Sequence, residues 1–79
     1  MTNDYFCTYD LGLATGLLSA GFEISAMDRV EAKRFQFKFV DSPELTEAID
    51  DYFSDKLDVS ARQMYDNLKM LKNRIYNNL

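Results

Sequence analysis

Five residues near the end of the chain recur in a pattern that suits a polyanion. Arg62, Tyr65, Lys69, Lys72 and Tyr76 fall within an arc of about 80° when turned at ~100° per residue. Cations interleaved with tyrosines are what a helix laid on a phosphate backbone would use. The cations neutralise phosphates and the rings offer faces to bases. The alternative is that the tyrosines border a core and the lysine stems run beside it with their heads in water.

A second set alternates with period two. In Lys33 to Val40, KRFQFKFV, Arg34, Gln36 and Lys38 face one side of a strand and Phe35, Phe37 and Phe39 the other. The adjacent strand adds Glu23, Ser25 and Met27 to the polar side. Left uncovered, that side is a mixed, slightly basic sheet face of the kind that can enter a DNA major groove. A plain solvated face is the competing reading.

A third set is defined by missing side chains. Gly12, Gly16 and Ala20 stand four apart. Glycine inside a helix costs about 1 kcal/mol relative to alanine, so two of them imply close approach by another segment. That segment is either one of the chain's own helices or the same helix of a second copy, which would make the stripe a dimer interface. Close contact through small residues is best known in membranes, but the steric logic is general.

Other chemistry is hard to assemble. There is no histidine, so Ser–His–Asp and Cys–His arrangements are excluded and the commonest metal ligand is missing. Cys7 stands mid-strand without a basic sequence neighbour and is expected to be buried and inert. No P-loop or GxGxxG is present, and Gly12 and Gly16 lie inside a helix rather than in a phosphate-cradling loop. Asp50 and Asp51 are adjacent, hence about 100° apart on a helix and a poor acid–base pair. The expectation is a non-enzymatic protein with no cofactor and no metal.

The elements that must position these sets can be read in order. Tyr5 to Tyr9 reads as a strand. Asp10 caps a helix whose buried face is Leu11, Ala14, Leu17 and Leu18. Gly21 supplies a left-handed stop, and Phe22 folds back on Leu17. Phe22 to Asp28 alternates as a half-buried strand, with Phe22, Ile24 and Ala26 inward. Arg29 to Ala32 is a polar connection to the strand Lys33 to Val40. Ser42 and Pro43 open an acidic helix with Leu45, Ile49, Tyr52 and Phe53 buried, ending near Asp55. Ser60 to Gln63 is a capping box, flanked by Val59 and Met64 as a hydrophobic staple. Ala61, Met64, Leu68, Leu71, Ile75 and Leu79 form the narrow apolar seam of the last helix.

The order is β-α-β-β-α-α, an α+β domain over 1–79. The third strand is expected in the middle of a three-stranded sheet, antiparallel to both neighbours, with helices over the phenylalanine face. At 79 residues the chain buries only ~60% of its unfolded surface, and small domains of this kind usually need a staple or a partner. One cysteine allows no internal disulfide, which leaves helix packing or a homodimer. The 47% hydrophobic content supports a folded globule. No apolar run approaches the ~20 residues of a membrane span, and MTNDYF lacks the basic start of a signal peptide, so a cytoplasmic location is expected.

The net charge of −4 opposes generic nucleic-acid binding, but the charge is segregated. From Asp41 to Asp58 seven acids face Lys56 alone. From Val59 to Leu79, Arg62, Lys69, Lys72 and Arg74 face Asp66 alone.

Two resemblances follow from particular stretches. F-x-T-x-D-L at Phe6 to Leu11, L-L-x-x-G-F-E at Leu17 to Glu23, and N-L-K-x-L-K-x-R-I-Y at Asn67 to Tyr76 look like a family of small, uncharacterised bacterial and phage proteins. That resemblance spans nearly the whole chain and brings no function with it. Ala14 to Gly21 followed by Phe22-Glu23-Ile24 is similar to the helix of LAGLIDADG homing endonucleases and the strand after it. There the resemblance implies a helix paired with its twin through small residues and a sheet that reads DNA. The metal-binding acid expected before the last glycine is replaced by Ala20, and one motif residue is lost, so DNA cutting is not implied. The resulting expectation is a nucleic-acid-binding accessory or regulatory protein of phage or bacterial origin. The alternative is an interaction module, such as a phage-encoded inhibitor, whose acidic helix engages a basic host protein.

Overall fold

A computed structural model describes residues 4–32 and 34–77. Lys33 and Leu79, which the sequence pattern places on the third strand and the last apolar seam, lie outside the described residues. The elements are β1 (Tyr5–Thr8), α1 (Leu11–Ser19), β2 (Ile24–Glu31), β3 (Arg34–Val40), α2 (Pro43–Phe53) and α3 (Ala61–Asn77). β3 is the middle strand, in the order β1-β3-β2, and pairs antiparallel with both neighbours. This is the α+β architecture read from the sequence.

The alternation of β3 sets the two faces. Phe35, Phe37 and Phe39 are buried with Leu13, Ala14 and Leu17 of α1, Leu45 and Ala48 of α2, and Leu71 of α3. Helices therefore cover the phenylalanine face and leave the other face open. β1 joins in register, with Phe6 opposite Phe39 and Thr8 opposite Phe37 on the covered side.

α1 is fixed at both ends by the expected devices. Asp10 Oδ1 accepts the Leu13 N–H at 3.1 Å. At the other end Phe22 N–H donates to Leu17 O and Gly21 N–H to Leu18 O, both at 3.1 Å, with Gly21 at φ 105°. This is a Schellman stop, which glycine adopts without Cβ strain. α2 ends in the same way around Asp55 at φ 60°. Lys56 N–H reaches Asp51 O at 2.8 Å and Asp55 N–H reaches Tyr52 O at 3.3 Å. Ser42 caps α2 through the Leu45 N–H at 3.0 Å, and Ser60 caps α3 through the Gln63 N–H at 3.3 Å.

Five expectations are corrected. β2 begins at Ile24, because Phe22 belongs to the helix stop, and it runs on to Glu31, so most of the supposed connection is strand. Its pairing slips between Ile24 and Ala26 and again between Arg29 and Glu31. The first slip turns Met27 to the covered face opposite Phe37 and Ala26 to the open face opposite Lys38, reversing the strict alternation expected of them. Phe53 is 66% exposed rather than buried. Cys7 is exposed, since its register opposite Lys38 puts it on the open face. In the last helix Ala61 is exposed, while Met64, Leu68, Leu71 and Ile75 keep the expected inward side.

Phe37 is 1% exposed at the centre of the sheet. Phe37→Ala is expected to cost about 3–5 kcal/mol, and Ser60→Ala about 1 kcal/mol through the lost cap. Chemical denaturation measures both, and equal midpoint shifts would show that Phe37 is not a core anchor.

Candidate nucleic-acid interface

α3 is amphipathic by construction. Its capped start fixes the helix, and its seam of Met64, Leu68, Leu71 and Ile75 faces the rest of the molecule. Asn67 on the same side donates to Ser19 Oγ at 3.0 Å, and the Ser19 hydroxyl donates to Thr15 O at 2.8 Å. This polar chain pins α3 to α1. The flank beside this seam is open to water, and Arg62, Tyr65, Lys69, Lys72 and Tyr76 on it are all exposed. Tyr65 and Tyr76 are 62% and 66% exposed, well beyond the partial cover of rings that border a core.

The five residues span about 21 Å along the axis at ~1.5 Å per residue. Lys69 Nζ lies 5.2 Å from the Tyr65 ring centroid, which groups the two side chains. Arg62 reaches Asp66 at 3.9 Å one turn away, an exposed pair that holds neither charge firmly. Lys72 makes no ion pair among the described residues.

Arg34 and Lys38 project from the open sheet face, away from the helical layer. The structure therefore brings the α3 set together but does not unite it with the β3 pair. On the sheet the cations have partners that the sequence pattern did not single out. The Arg34 guanidinium carbon lies 3.9 Å from the Tyr9 ring centroid, and Lys38 Nζ lies 5.6 Å from that of Tyr5. Gln36 Nε2 approaches the Tyr9 hydroxyl at 3.5 Å. Tyr5 is opposite Val40, so Lys38 reaches it diagonally, as cross-strand neighbours do. The odd-numbered spacing of Tyr5, Cys7 and Tyr9 is the signal that identifies this row. Two acids offset the cations, with Asp28 3.9 Å from Lys38 and Glu31 3.9 Å from Arg34.

The small-residue stripe is occupied from within. A Cβ on Gly12 would stand 2.7 Å from the Tyr52 hydroxyl, and one on Gly16 would stand 3.0 Å from the Tyr52 ring and 3.4 Å from Leu57. Tyr52 of α2 thus takes the room at Gly12 and Gly16, the internal one of the two occupants that the sequence pattern leaves open. Ala20, the α1 C-cap, is exposed and is not part of this contact. Beyond Gly16 a cleft of about 140 Å³ is lined by Tyr52, Asp55, Leu57, Val59 and Met64.

Gly16→Val is expected to destabilise the fold by about 1–3 kcal/mol through overpacking. Tyr52→Leu in the same chain should recover part of that loss. Thermal unfolding of the two single variants and the double variant decides this, and strict additivity would place the clash elsewhere.

Among the described residues no group of three or more Cys, Asp or Glu converges as a metal site. None of the described helices is long and apolar enough to cross a membrane. The model of one protein family, described as a domain of unknown function (DUF5659), matches residues 3–77. No curated protein and no solved structure matches the chain.

Proposed function

The chain belongs to this family, whose description assigns no activity, and we propose that it is a nucleic-acid-binding accessory or regulatory protein that acts by binding rather than catalysis. The observation that carries the reading is the outward face of α3. Three cations and two tyrosines share it, all exposed, while the seven acids of Asp41 to Asp58 lie in a separate stretch. A polyanion is repelled by a body of net charge −4, and only a segregated cationic surface overcomes that repulsion. The origin that fits is phage or bacterial. An exposed, unpaired Cys7 suits a reducing compartment such as the cytoplasm.

A second reading has its own support. Phe53 stands 66% exposed at the end of α2, with Glu47 and Asp50 exposed on the preceding turns. An aromatic anchor ringed by acids suits a basic protein partner, such as a host protein inhibited by this chain.

The two readings differ in the sign of the partner. Fluorescence anisotropy at low salt, where electrostatic attraction is largest, should show duplex binding with a log–log salt slope near −3 for three phosphate contacts. Lys69→Gln combined with Lys72→Gln should flatten that slope by about 2 and weaken all duplexes alike, because phosphate contacts carry no sequence information. Tyr76→Ala should cost single strands more, by ~1–3 kcal/mol of lost stacking. Absence of binding by the wild type at low salt sinks the nucleic-acid reading and leaves the α2 surface as the leading one.

A further inference from the structure

The exposed flank of α3 is ordered as well as cationic. Tyr65 and Tyr76 stand eleven residues apart, which turns them to within about 20° of each other and sets them ~16.5 Å apart along the axis. Lys69 and Lys72 lie between them. Lys69 follows Tyr65 by four residues, and its Nζ stands 5.2 Å from the ring centroid. Lys72 precedes Tyr76 by the same four residues. The order along the flank is therefore ring, cation, cation, ring, with Arg62 just outside it. Both tyrosines are largely exposed, and neither packs against the core cluster.

A duplex uses only half of this arrangement. Its bases are stacked in pairs inside, so a helix on its backbone meets phosphates and leaves both rings without a partner. A single strand offers a base face to each ring, and each such contact is worth roughly 5- to 140-fold in affinity. Charge density argues the same way. A duplex carries one charge per ~1.7 Å of its axis, and one stacked strand carries one per ~3.4 Å. The chain has a net charge of −4 and a narrow cationic ridge, so its acidic remainder repels the sparser polyanion less. Bases spaced at ~3.4 Å need about five steps to pass from one ring to the other. That is about six nucleotides, within the ~4–16 that single-strand grooves take.

We propose that the α3 flank is a site for unpaired, single-stranded nucleic acid, in which Tyr65 and Tyr76 each stack on a base and Lys69 and Lys72 hold the phosphates between them. The proposal rests on the nucleic-acid reading given above and narrows it from nucleic acid in general to single strands. Arg62 extends the phosphate contact beyond Tyr65. Ring faces and phosphates are common to DNA and RNA, so the two are alternative sources of the same chemistry.

The test is fluorescence anisotropy at low salt with five labelled probes: an oligothymidylate, an oligouridylate, an abasic strand of the same length, a blunt duplex and an oligoglutamate. The tighter of the thymidylate and the uridylate is expected to bind at least tenfold better than the abasic strand and the duplex, and it identifies the sugar. Tyr65→Ser combined with Tyr76→Ser, checked for folding by circular dichroism, should remove that preference and leave duplex affinity within about twofold, because duplex contacts are to phosphate. A wild type that holds duplex as tightly as single strands overturns the proposal and leaves the broader nucleic-acid reading standing. So does an abasic strand held as tightly as the thymidylate, since phosphates alone then account for binding. A tyrosine variant that weakens every probe alike also overturns it. An oligoglutamate bound as tightly as the strands overturns it and assigns the flank to an acidic protein. Absence of binding to all the nucleic-acid probes overturns both the proposal and the reading it rests on.

Discussion

One strand decides which surfaces this molecule has. β3 alternates without a break from Arg34 to Phe39, and both other strands pair with it, so its dry side becomes the dry side of the whole sheet. A slip of one residue would turn Phe35, Phe37 and Phe39 to water and Arg34, Gln36 and Lys38 into the core, so the register is strongly specified. The neighbours adapt to it. β1 fits in plain register. β2 does not alternate cleanly, and it meets the requirement by slipping twice, the first time turning Met27 onto Phe37.

α1 is the element that makes this sheet a core. Capped by Asp10 and stopped at Gly21, it buries Leu13, Ala14 and Leu17 against the phenylalanines. Its other sides receive the remaining helices. Gly12 and Gly16 admit the Tyr52 ring of α2, and Ser19 receives Asn67 of α3. The cost of two helical glycines, about 1 kcal/mol each, is therefore offset by aromatic packing within the chain. Asp55 in a left-handed conformation then turns the chain from α2 toward α3, a role for which aspartate is one of the few tolerated residues after glycine.

Where sequence and structure agree, the signal was local. Caps, stops and the period of β3 depend on residues within a few positions of each other, and Asp10, Gly21, Ser42 and Ser60 each do what their type and position imply. Where they differ, the cause was long-range. Met27 could not be assigned to a face without knowing that β2 slips against β3. A mid-strand cysteine is usually buried, yet the face of Cys7 is set by the partner strand and is exposed. The stripe at Gly12 and Gly16 announced a close approach but not its occupant, because the pattern of α1 holds no trace of Tyr52, some forty positions away. On α3 the exposed set was legible, since a narrow apolar seam fixes what must face out. On the sheet only half of the row was legible. Arg34 and Lys38 stood out, but Tyr5 and Tyr9 came into view only once β1 lay beside β3.

The charge on α3 is not a device of stability. Its ion pair between Arg62 and Asp66 is long and exposed, and pairs of this kind contribute a few tenths of a kcal/mol. The helix is held by its cap, by Leu71 in the core and by the Asn67–Ser19 hydrogen bond. Neutral residues at positions 69 and 72 would leave all three in place. On the sheet each cation is matched with an acid and a ring, though its ion pairs are as long as the one on α3. The helical layer carries an acidic stretch from Asp41 to Asp58 and a separate cationic ridge on α3. The cationic ridge suits a partner of opposite charge.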